Sequence, residues 1–294
     1  MKDLQYLVVG GDGRQGYLTT CLIEEKKRVS VIFGGGFKHI VGDDVEKTDW
    51  KNAIRSGDVI IFPLPISKDD ENLNADYKIK LAEIVNEIPS NKVVMAGGVT
   101  PKIKSLFELK NIEVIDYFNR EELTVCNAIP TAEGAIEIAM RELPITINNS
   151  KCLITGFGRI SKILVKVLHG LGAKTTVVAR KNADLVWASI YGASVQHIAD
   201  IKLAVKGKDV IFNTVPFKII NEDALSNVDK SCLIIDVASK PGGVDFEVAD
   251  RLGINVIWAL ALPGKVAPKT AGEAIKTAIN NILKEADIVS KKKL

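Results

Sequence analysis

Two segments of the chain place closely spaced glycines directly after an apolar run, where a strand would lead into a helix. Residues 11–16 read GDGRQG and match the pattern G-x-G-x-x-G in full. Residues 156–161 read GFGRIS, with serine at the third glycine position. Glycine turns of this kind let the backbone approach a pyrophosphate, while the amides and dipole of the next helix stabilise its charge. Either segment is therefore a candidate dinucleotide site.

A dinucleotide site also needs a side chain that contacts the ribose, about 20 residues further on. After the first motif, the predicted strand 29–33 ends in residues 34–36 (GGG), which offer neither carboxylate nor cation. After the second, the predicted strand 175–179 is followed by Arg180 and Lys181, with no acid nearby in that stretch. Two cations suit the 2′-phosphate of NADP better than the free ribose hydroxyl of NAD. We therefore predict that the second motif binds NADP and that the first is a structural turn.

The elements that would hold these turns alternate between strand-like and helical runs. This alternation predicts an α/β protein with two Rossmann-like, doubly wound parallel-sheet domains, and a chain of 294 residues exceeds what one compact core usually holds. A helix is predicted from Ser67, which with Asp70 forms a capping signal, to about Asn86. Strands are predicted near residues 4–9, 29–33, 59–62, 93–95, 112–115, 152–155, 175–178, 209–213, 232–236 and 255–258.

Two amphipathic helices are predicted to connect the domains. The first follows residues 127–134 (NAIPTAEG), and the second closes the chain behind a capping box from Thr270 to Glu273. We expect one domain to comprise residues 1–128 with the C-terminal helix 268–294. Residues 129–267 would form the dinucleotide-binding domain.

Composition and charge exclude several classes of protein. The net charge of +3 gives no reason to expect nucleic acid as a partner. The four cysteines and three histidines are scattered without metal-ligand spacing, so no metal site is predicted. Neither a secretory leader nor a membrane-spanning apolar run is visible, and we expect a cytoplasmic protein with reduced thiols.

Four longer strings carry a family resemblance: residues 10–15 (GGDGRQ), 127–134 (NAIPTAEG), 236–243 (DVASKPGG) and 262–272 (LPGKVAPKTAG). Together they closely resemble the A subunits of bacterial dipicolinate synthase over nearly the whole chain. The resemblance implies oxidation of a dihydrodipicolinate, derived from the lysine pathway, to pyridine-2,6-dicarboxylate in sporulation. It also implies NADP rather than NAD in the second domain, the B subunit of dipicolinate synthase as a partner, and a first domain similar to the substrate domains of 2-hydroxyacid dehydrogenases and adenosylhomocysteinases. We further expect a homo-oligomer.

A dicarboxylate substrate requires cations in the loops that follow strands. The candidates are Arg14, Lys240, Lys265 and Lys269, each of which could instead be a solvated surface charge. Thr131 and Glu133 lie on the interdomain bridge and are candidates for contact with substrate or the nicotinamide ribose, although Thr131 could simply cap its helix.

Residues predicted to bind the cofactor share positions in loops of the second domain. They are Gly156, Phe157, Gly158, Arg159, Ile160, Arg180, Lys181, Thr214, Val215, Pro216, Asp236 and Ala238. Asp236 could also orient Lys240 or cap a loop, and Ser239 could bond the nicotinamide carboxamide or the substrate. No general base is identified from the sequence.

Two alternatives remain open. A 2-hydroxyacid dehydrogenase would have the same architecture but needs a late histidine as acid and base, and no histidine follows His197. The chain could also be a nucleotide-binding regulatory or scaffolding subunit whose partner carries the catalytic residues.

Overall fold

A computed structural model describes residues 4–42 and 45–292; residues 1–3, 43, 44, 293 and 294 of the predicted first domain lie outside the described ranges. The strands are β1 (Gln5–Val9), β2 (Arg28–Ile32), β3 (Val59–Ile61), β4 (Val93–Ala96), β5 (Val114–Asp116), β6 (Lys151–Thr155), β7 (Lys174–Ala179), β8 (Ser194–His197), β9 (Val210–Asn213), β10 (Leu233–Asp236) and β11 (Asn255–Trp258).

The helices are α1 (Gly13–Glu24), α2 (Lys38–Val41), α3 (Trp50–Ser56), α4 (Leu81–Glu87), α5 (Pro101–Glu108), α6 (Glu121–Glu142), α7 (Arg159–Gly170), α8 (Asn182–Ile190), α9 (Ile201–Ala204), α10 (Glu222–Leu225), α11 (Phe246–Leu252), α12 (Leu262–Val266) and α13 (Pro268–Lys292). Short 3₁₀ turns lie at Gly35–Phe37, Tyr117–Asn119 and Ile198–Asp200. Among the helices of the described ranges, none combines the length and the hydropathy that a membrane span requires.

The chain divides into two compact units, each built on a parallel sheet, so the predicted α/β class is confirmed. Unit 1 comprises Met1–Cys126 with Ala267–Leu294, and unit 2 comprises Asn127–Val266. The chain passes from unit 1 to unit 2 within α6 and returns between α12 and α13.

Unit 1 has the strand order β2-β1-β3-β4-β5, and all its strand pairs are parallel. Side chains alternate along β1: Leu7 and Val9 belong to one core cluster, whereas Tyr6 and Val8 belong to the cluster on the other face. This is the flavodoxin-like strand order, which reverses between β1 and β3 because later strands are added on the opposite side of β1 from β2. The loops after β1 and β3 therefore meet at the switch point of the sheet.

Unit 2 has the strand order β11-β10-β9-β6-β7-β8. Counted from β6, this is the Rossmann order, and its switch point lies between β6 and β9. Helix α7 covers the sheet with the buried residues Ser161, Leu164, Val165 and Leu168, whose spacing places them on one helical face. A ligand is consequently expected at the loops after β6 and β9.

Two predicted helix starts are wrong for local reasons. The helix expected from Ser67 begins only at Leu81, because the Asp69 carboxylate accepts hydrogen bonds from the amides of Glu71 and Asn72 and closes a turn there. Helix α13 begins at Pro268, so Thr270 lies inside its first turn and does not cap it. Proline suits the first helical position because its missing N–H would have no partner there.

Two other elements also differ from the prediction. The bridging helix α6 begins at Glu121 and runs through Pro130, so Thr131 is not its cap; the Thr131 hydroxyl donates to the Asn127 carbonyl at 2.7 Å. Strand β8 was not predicted at all. All its side chains are exposed, so it carries no apolar alternation.

Candidate functional site

The first glycine turn, after β1, is tied to neighbouring segments by hydrogen bonds and close packing. The Gly10 amide donates to the Ile32 carbonyl at 2.9 Å, and the Gly11 amide donates to the Asn74 carbonyl at 2.8 Å. The Asp12 side chain caps α1 by accepting from the Arg14 amide at 3.0 Å. A Cβ atom on Gly11 would lie 2.9 Å from Cγ of Gln15. The amides of Gly10, Gly11 and Arg14 are therefore already bonded within the protein.

The Arg14 side chain, which is only 7% exposed, is held at the switch point of unit 1. Its Nε and Nη2 atoms donate to the two Asp12 carboxylate oxygens at 2.9 and 2.7 Å, and Nη2 also donates to the Leu64 carbonyl at 2.5 Å. Burial raises the pKa of Asp12, but the hydrogen bonds and charge of Arg14 outweigh it and hold that pKa below its usual value. Arg14 thus joins the loops after β1 and β3.

The second glycine turn, after β6, is open. Gly158 precedes α7 without any side-chain cap, and a Cβ atom placed on it would meet nothing within 4 Å. Within the described ranges, the amides of Phe157, Gly158 and Ile160 donate no hydrogen bond. Unbonded amides at the start of a twelve-residue helix form an anion-binding position.

The serine that breaks the glycine pattern has its own structural role. Ser161 Oγ donates to Thr214 Oγ1 at 2.9 Å, and Thr214 Oγ1 donates to the Thr155 carbonyl at 2.7 Å. These bonds join the turn after β6 to the loop after β9. Gly156 has φ +78°, and a Cβ atom there would lie 2.9 Å from Cγ2 of Val215. Glycine is therefore required at the position where these two loops approach each other.

A buried carboxylate organises the loop after β10. Asp236 accepts hydrogen bonds from Asn213 Nδ2 at 2.8 Å, from the Ala238 amide at 2.9 Å and from the Gly243 amide at 2.7 Å. Its side chain is fully buried, so it caps this loop and offers no surface to a ligand or to Lys240. A Cβ atom on Gly243 would lie 2.3 Å from the Val215 carbonyl oxygen, so this close approach also needs glycine.

A cleft of about 650 Å³ opens beside the second glycine turn. It combines a backbone turn, two cations and apolar walls, as dinucleotide sites do. The predicted residues in its lining are Gly156, Arg180, Lys181 and Val215, and the lining residues that sequence reasoning missed are Ala179, Asp184, Ile198, Ile201, Phe217, Ile219 and Asn221. The sequence pattern did not indicate Ile198 and Ile201 because they follow strand β8, which has no apolar alternation.

Asp184 corrects one part of the sequence argument. It stands four residues after Arg180 and lines the same cleft, so the two cations do have an acid nearby. A carboxylate at such a position can accept a hydrogen bond from a ribose hydroxyl. The lining therefore contains groups suited to both forms of the dinucleotide.

Comparison with known proteins agrees with this architecture. Residues 5–118 match the family model for the N-terminal domain of the dipicolinate synthase A subunit. The A subunit of dipicolinate synthase from Bacillus subtilis (strain 168) is 28% identical over 293 residues, which cover 97% of each chain. The crystal structure of the corresponding subunit from Bacillus halodurans has a TM-score of 0.86 at 26% identity and covers 96% of this chain and 98% of that chain. The chain is similar to the dipicolinate synthase A subunit along nearly its whole length.

The resemblance inferred from the four sequence strings is thus confirmed. A more distant structure, the transhydrogenase from Sinorhizobium meliloti, is 13% identical with a TM-score of 0.72 and covers 95% of this chain and 94% of that one. This likeness concerns the fold alone. The chain therefore combines similarity to the dipicolinate synthase A subunit with a dehydrogenase-like fold.

The remaining candidates for contact with the substrate lie outside the cleft lining. Ser239 and Lys240 are exposed after β10, Glu133 is exposed on α6, and Lys265 is exposed on α12. Their side chains form no hydrogen bond or ion pair among the residues the structure describes. Lys269 is exposed at the start of α13 in unit 1.

Proposed function

We propose that the chain is the nicotinamide-dependent oxidoreductase subunit of a dipicolinate synthase and oxidises a dihydrodipicolinate to dipicolinate. The observation that carries this proposal is the open glycine turn at Gly156 to Gly158, at the switch point of a sheet with Rossmann order. The likeness to the dipicolinate synthase A subunit over the whole chain supports the choice of substrate. We place the reaction in the cytoplasm of a sporulating cell.

The proposed reaction converts a dihydropyridine ring into an aromatic ring by removing one hydride and one proton. A bound oxidised nicotinamide would supply the hydride acceptor. Because aromaticity stabilises the product, the protein has mainly to bind and position its ligands. The substrate carries two carboxylates, and Arg14, Lys240 and Lys265, together with Thr131, Glu133 and Ser239, remain the predicted residues for positioning it.

In unit 2, the residues around the cleft fit a dinucleotide. The amides of Phe157, Gly158 and Ile160 and the dipole of α7 would bind the pyrophosphate. The apolar walls, which include Val215 and Ile198, would exclude water from the ligand. We propose unit 2 as the dinucleotide-binding domain and unit 1 as the substrate domain.

We propose NADP as the cofactor, with Arg180 and Lys181 binding its 2′-phosphate. Arg180→Ala should then weaken binding of NADPH at least about tenfold while changing binding of NADH little, because two cations contact only the phosphorylated ribose. Lys174→Ala is the matched control, since Lys174 is an exposed cation at the other end of β7. Equal losses for NADPH and NADH in Arg180→Ala would refute the phosphate-binding role.

The activity itself is tested by mixing the purified protein with NADP and freshly generated dihydrodipicolinate, with and without the B subunit of dipicolinate synthase. We expect reduction of the nicotinamide, followed by its absorbance, in at least one of the two mixtures. Absence of reduction in both would overturn the oxidoreductase proposal and favour a scaffolding role. Reduction only in the presence of the B subunit would show that the active enzyme is the complex.

The structure gives a reason to rank the 2-hydroxyacid dehydrogenase alternative lower. His197 ends the edge strand β8, where its Nε2 lies 3.1 Å from the Arg180 carbonyl oxygen and its Nδ1 accepts from the Ala199 amide at 3.2 Å. Both ring nitrogens are thus bonded to main-chain groups next to the proposed ribose phosphate position. A catalytic acid and base must instead reach the reacting carbonyl.

A further inference from the structure

Helix α8 exposes an apolar stripe on its outer side. Val186, Trp187 and Ile190 are 61%, 54% and 67% exposed, and Tyr191 at the end of the helix is 42% exposed, whereas Ala188 is fully buried. With Ala183, these residues follow the spacing i, i+3, i+4, i+7, i+8, which defines a single helical face. A surface helix normally turns its charged residues to water, and α8 presents its apolar face instead.

The edge strand β8 extends this stripe. Val195 pairs in register with Val177 of β7, and Val177 belongs to the same core cluster as Ala188 of α8. Val195, which is 37% exposed, therefore lies on the side of the sheet that α8 covers. We define the α8 patch as Val186, Trp187, Ile190, Tyr191 and Val195.

The apolar area of the α8 patch is in the range of protein interfaces and exceeds that of single exposed apolar residues. With about 150–250 Å² for each fully exposed large side chain, the exposed parts of the patch add to roughly 500 Å² of apolar surface. The largest apolar patches of soluble monomers cover about 300–600 Å² and are often functional. A stable interface buries about 800 Å² per partner, so the patch with its polar rim supplies most of the area needed.

The chemistry of the patch favours a second copy of the same chain. In a two-fold symmetric interface each residue near the axis meets its own copy, so a charged position there would repel itself. None of the patch positions is charged, and the aromatic Trp187 lies in the middle of the stripe. We propose that the α8 patch forms a two-fold symmetric dimer interface in which α8 of one copy packs against α8 of the other.

The α8 patch is also connected to the cleft of unit 2. The ring of Tyr191 meets the ring of Phe157 edge to face, with centroids 5.6 Å apart, and Phe157 belongs to the open glycine turn. At the other end of α8, Lys181 and Asp184 line the cleft. The proposed dimer does not depend on the proposed reaction, and it would place the proposed cofactor site beside the interface.

The test measures the mass of the purified full chain by analytical ultracentrifugation over a range of concentrations. We expect wild-type protein to have twice the chain mass of 31.9 kDa. Trp187→Glu and Ile190→Glu should each raise the dimer dissociation constant at least about 30-fold, as loss of a central aromatic or apolar anchor does. Leu203→Glu is the matched control: Leu203 is 58% exposed but belongs to α9, which packs on the other face of the sheet, and its substitution should leave the dimer intact.

A second measurement separates loss of the interface from loss of folding. Trp187→Glu and Trp187→Lys should each be monomeric alone and should form a mixed dimer when combined, because opposite charges meet across the axis. A wild-type chain that stays monomeric would overturn the proposal, as would a dimer insensitive to both α8 substitutions. The dimer proposal would also be overturned if Trp187→Glu weakened binding of the dipicolinate synthase B subunit and left the dimer unchanged. That result would identify the B subunit as the partner that covers the α8 patch.

Discussion

Asn213 donates a hydrogen bond of 2.8 Å to Asp236 where two neighbouring parallel strands end, and both side chains are fully buried. Asn213 also accepts from the Thr155 hydroxyl at 2.6 Å, so the contact links three strands of unit 2. The loops after β6, β9 and β10 are thereby held by one internal hydrogen-bond network. The network therefore connects the loops that carry Gly156 and Val215 of the cleft lining.

Substitution of Asp236 tests that network. Asp236→Asn should lower the free energy of unfolding by about 3 kcal/mol. The Asp236 carboxylate accepts hydrogen bonds from several amide N–H groups, and the asparagine side chain would direct an N–H group of its own at some of these donors. Urea unfolding measures the loss, and the exposed Asp250→Asn serves as control with an expected change near zero. A loss in Asp236→Asn no larger than in the control would show that the network contributes little.

Alanine substitutions of glycine distinguish the two turns. Gly158→Ala should lower the free energy of unfolding by no more than about 1 kcal/mol, because its Cβ enters open space and only the helix cap is weakened. It should weaken NADPH binding at least about tenfold, because that space is where the pyrophosphate would lie. Gly16→Ala should destabilise the fold by about 1–3 kcal/mol, because its Cβ would lie 2.8 Å from Cβ of Phe37.

A fluorescence titration with NADPH and urea unfolding check both glycine variants. Gly170→Ala, at the other end of α7 and also without a neighbour within 4 Å, controls for a change of helix propensity. If Gly16→Ala weakened NADPH binding while Gly158→Ala did not, the assignment of the two turns would be reversed.

The Asp12–Arg14 pair should make stability depend on pH in acid. The pKa of Asp12 in the folded state lies below its ordinary value of 3.8, so folding favours the ionised carboxylate. Its contribution is fully present above the unfolded pKa and is lost as pH falls through the folded pKa. Asp12→Asn should therefore be less stable than wild type at pH 6, with the difference shrinking below about pH 4. A difference in unfolding free energy that stayed constant over this range would contradict the ion pair's contribution.

Three of the four thiols should react at very different rates. Burial raises the pKa of Cys232 to about 12 and also raises that of Cys152, whereas Cys126 is exposed. Because the thiolate is the reactive form, a chromogenic disulfide reagent should modify Cys126 quickly and reach Cys152 and Cys232 only after unfolding. Cys126→Ser should remove the fast phase, and a fast phase that persisted would disprove this order.

The local pattern of apolar residues was sufficient to predict much of the fold. Apolar runs located every buried strand near its observed position, because a strand enclosed between helices must be apolar throughout. The same signal failed at β8, whose exposed side chains show no pattern, and between Ser67 and Leu81, where side-chain bonds of Asp69 replace a helix with a turn. These failures arise from burial and side-chain hydrogen bonds that depend on the surrounding structure.

The sequence by itself determined the α/β class, the family resemblance and the preference for the second glycine motif, because strand periodicity, glycine spacing and the residues that follow are all local. Only the tertiary structure decided that Gly13 of the first turn packs against Pro268, 3.3 Å from a Cβ atom placed on it, whereas Gly158 of the second faces open space, since Pro268 is distant in the chain. It also brought Asp184 into the cleft lining and left the apolar stripe of α8 exposed. Which polar groups are satisfied and which apolar faces are covered depends on contacts between distant segments.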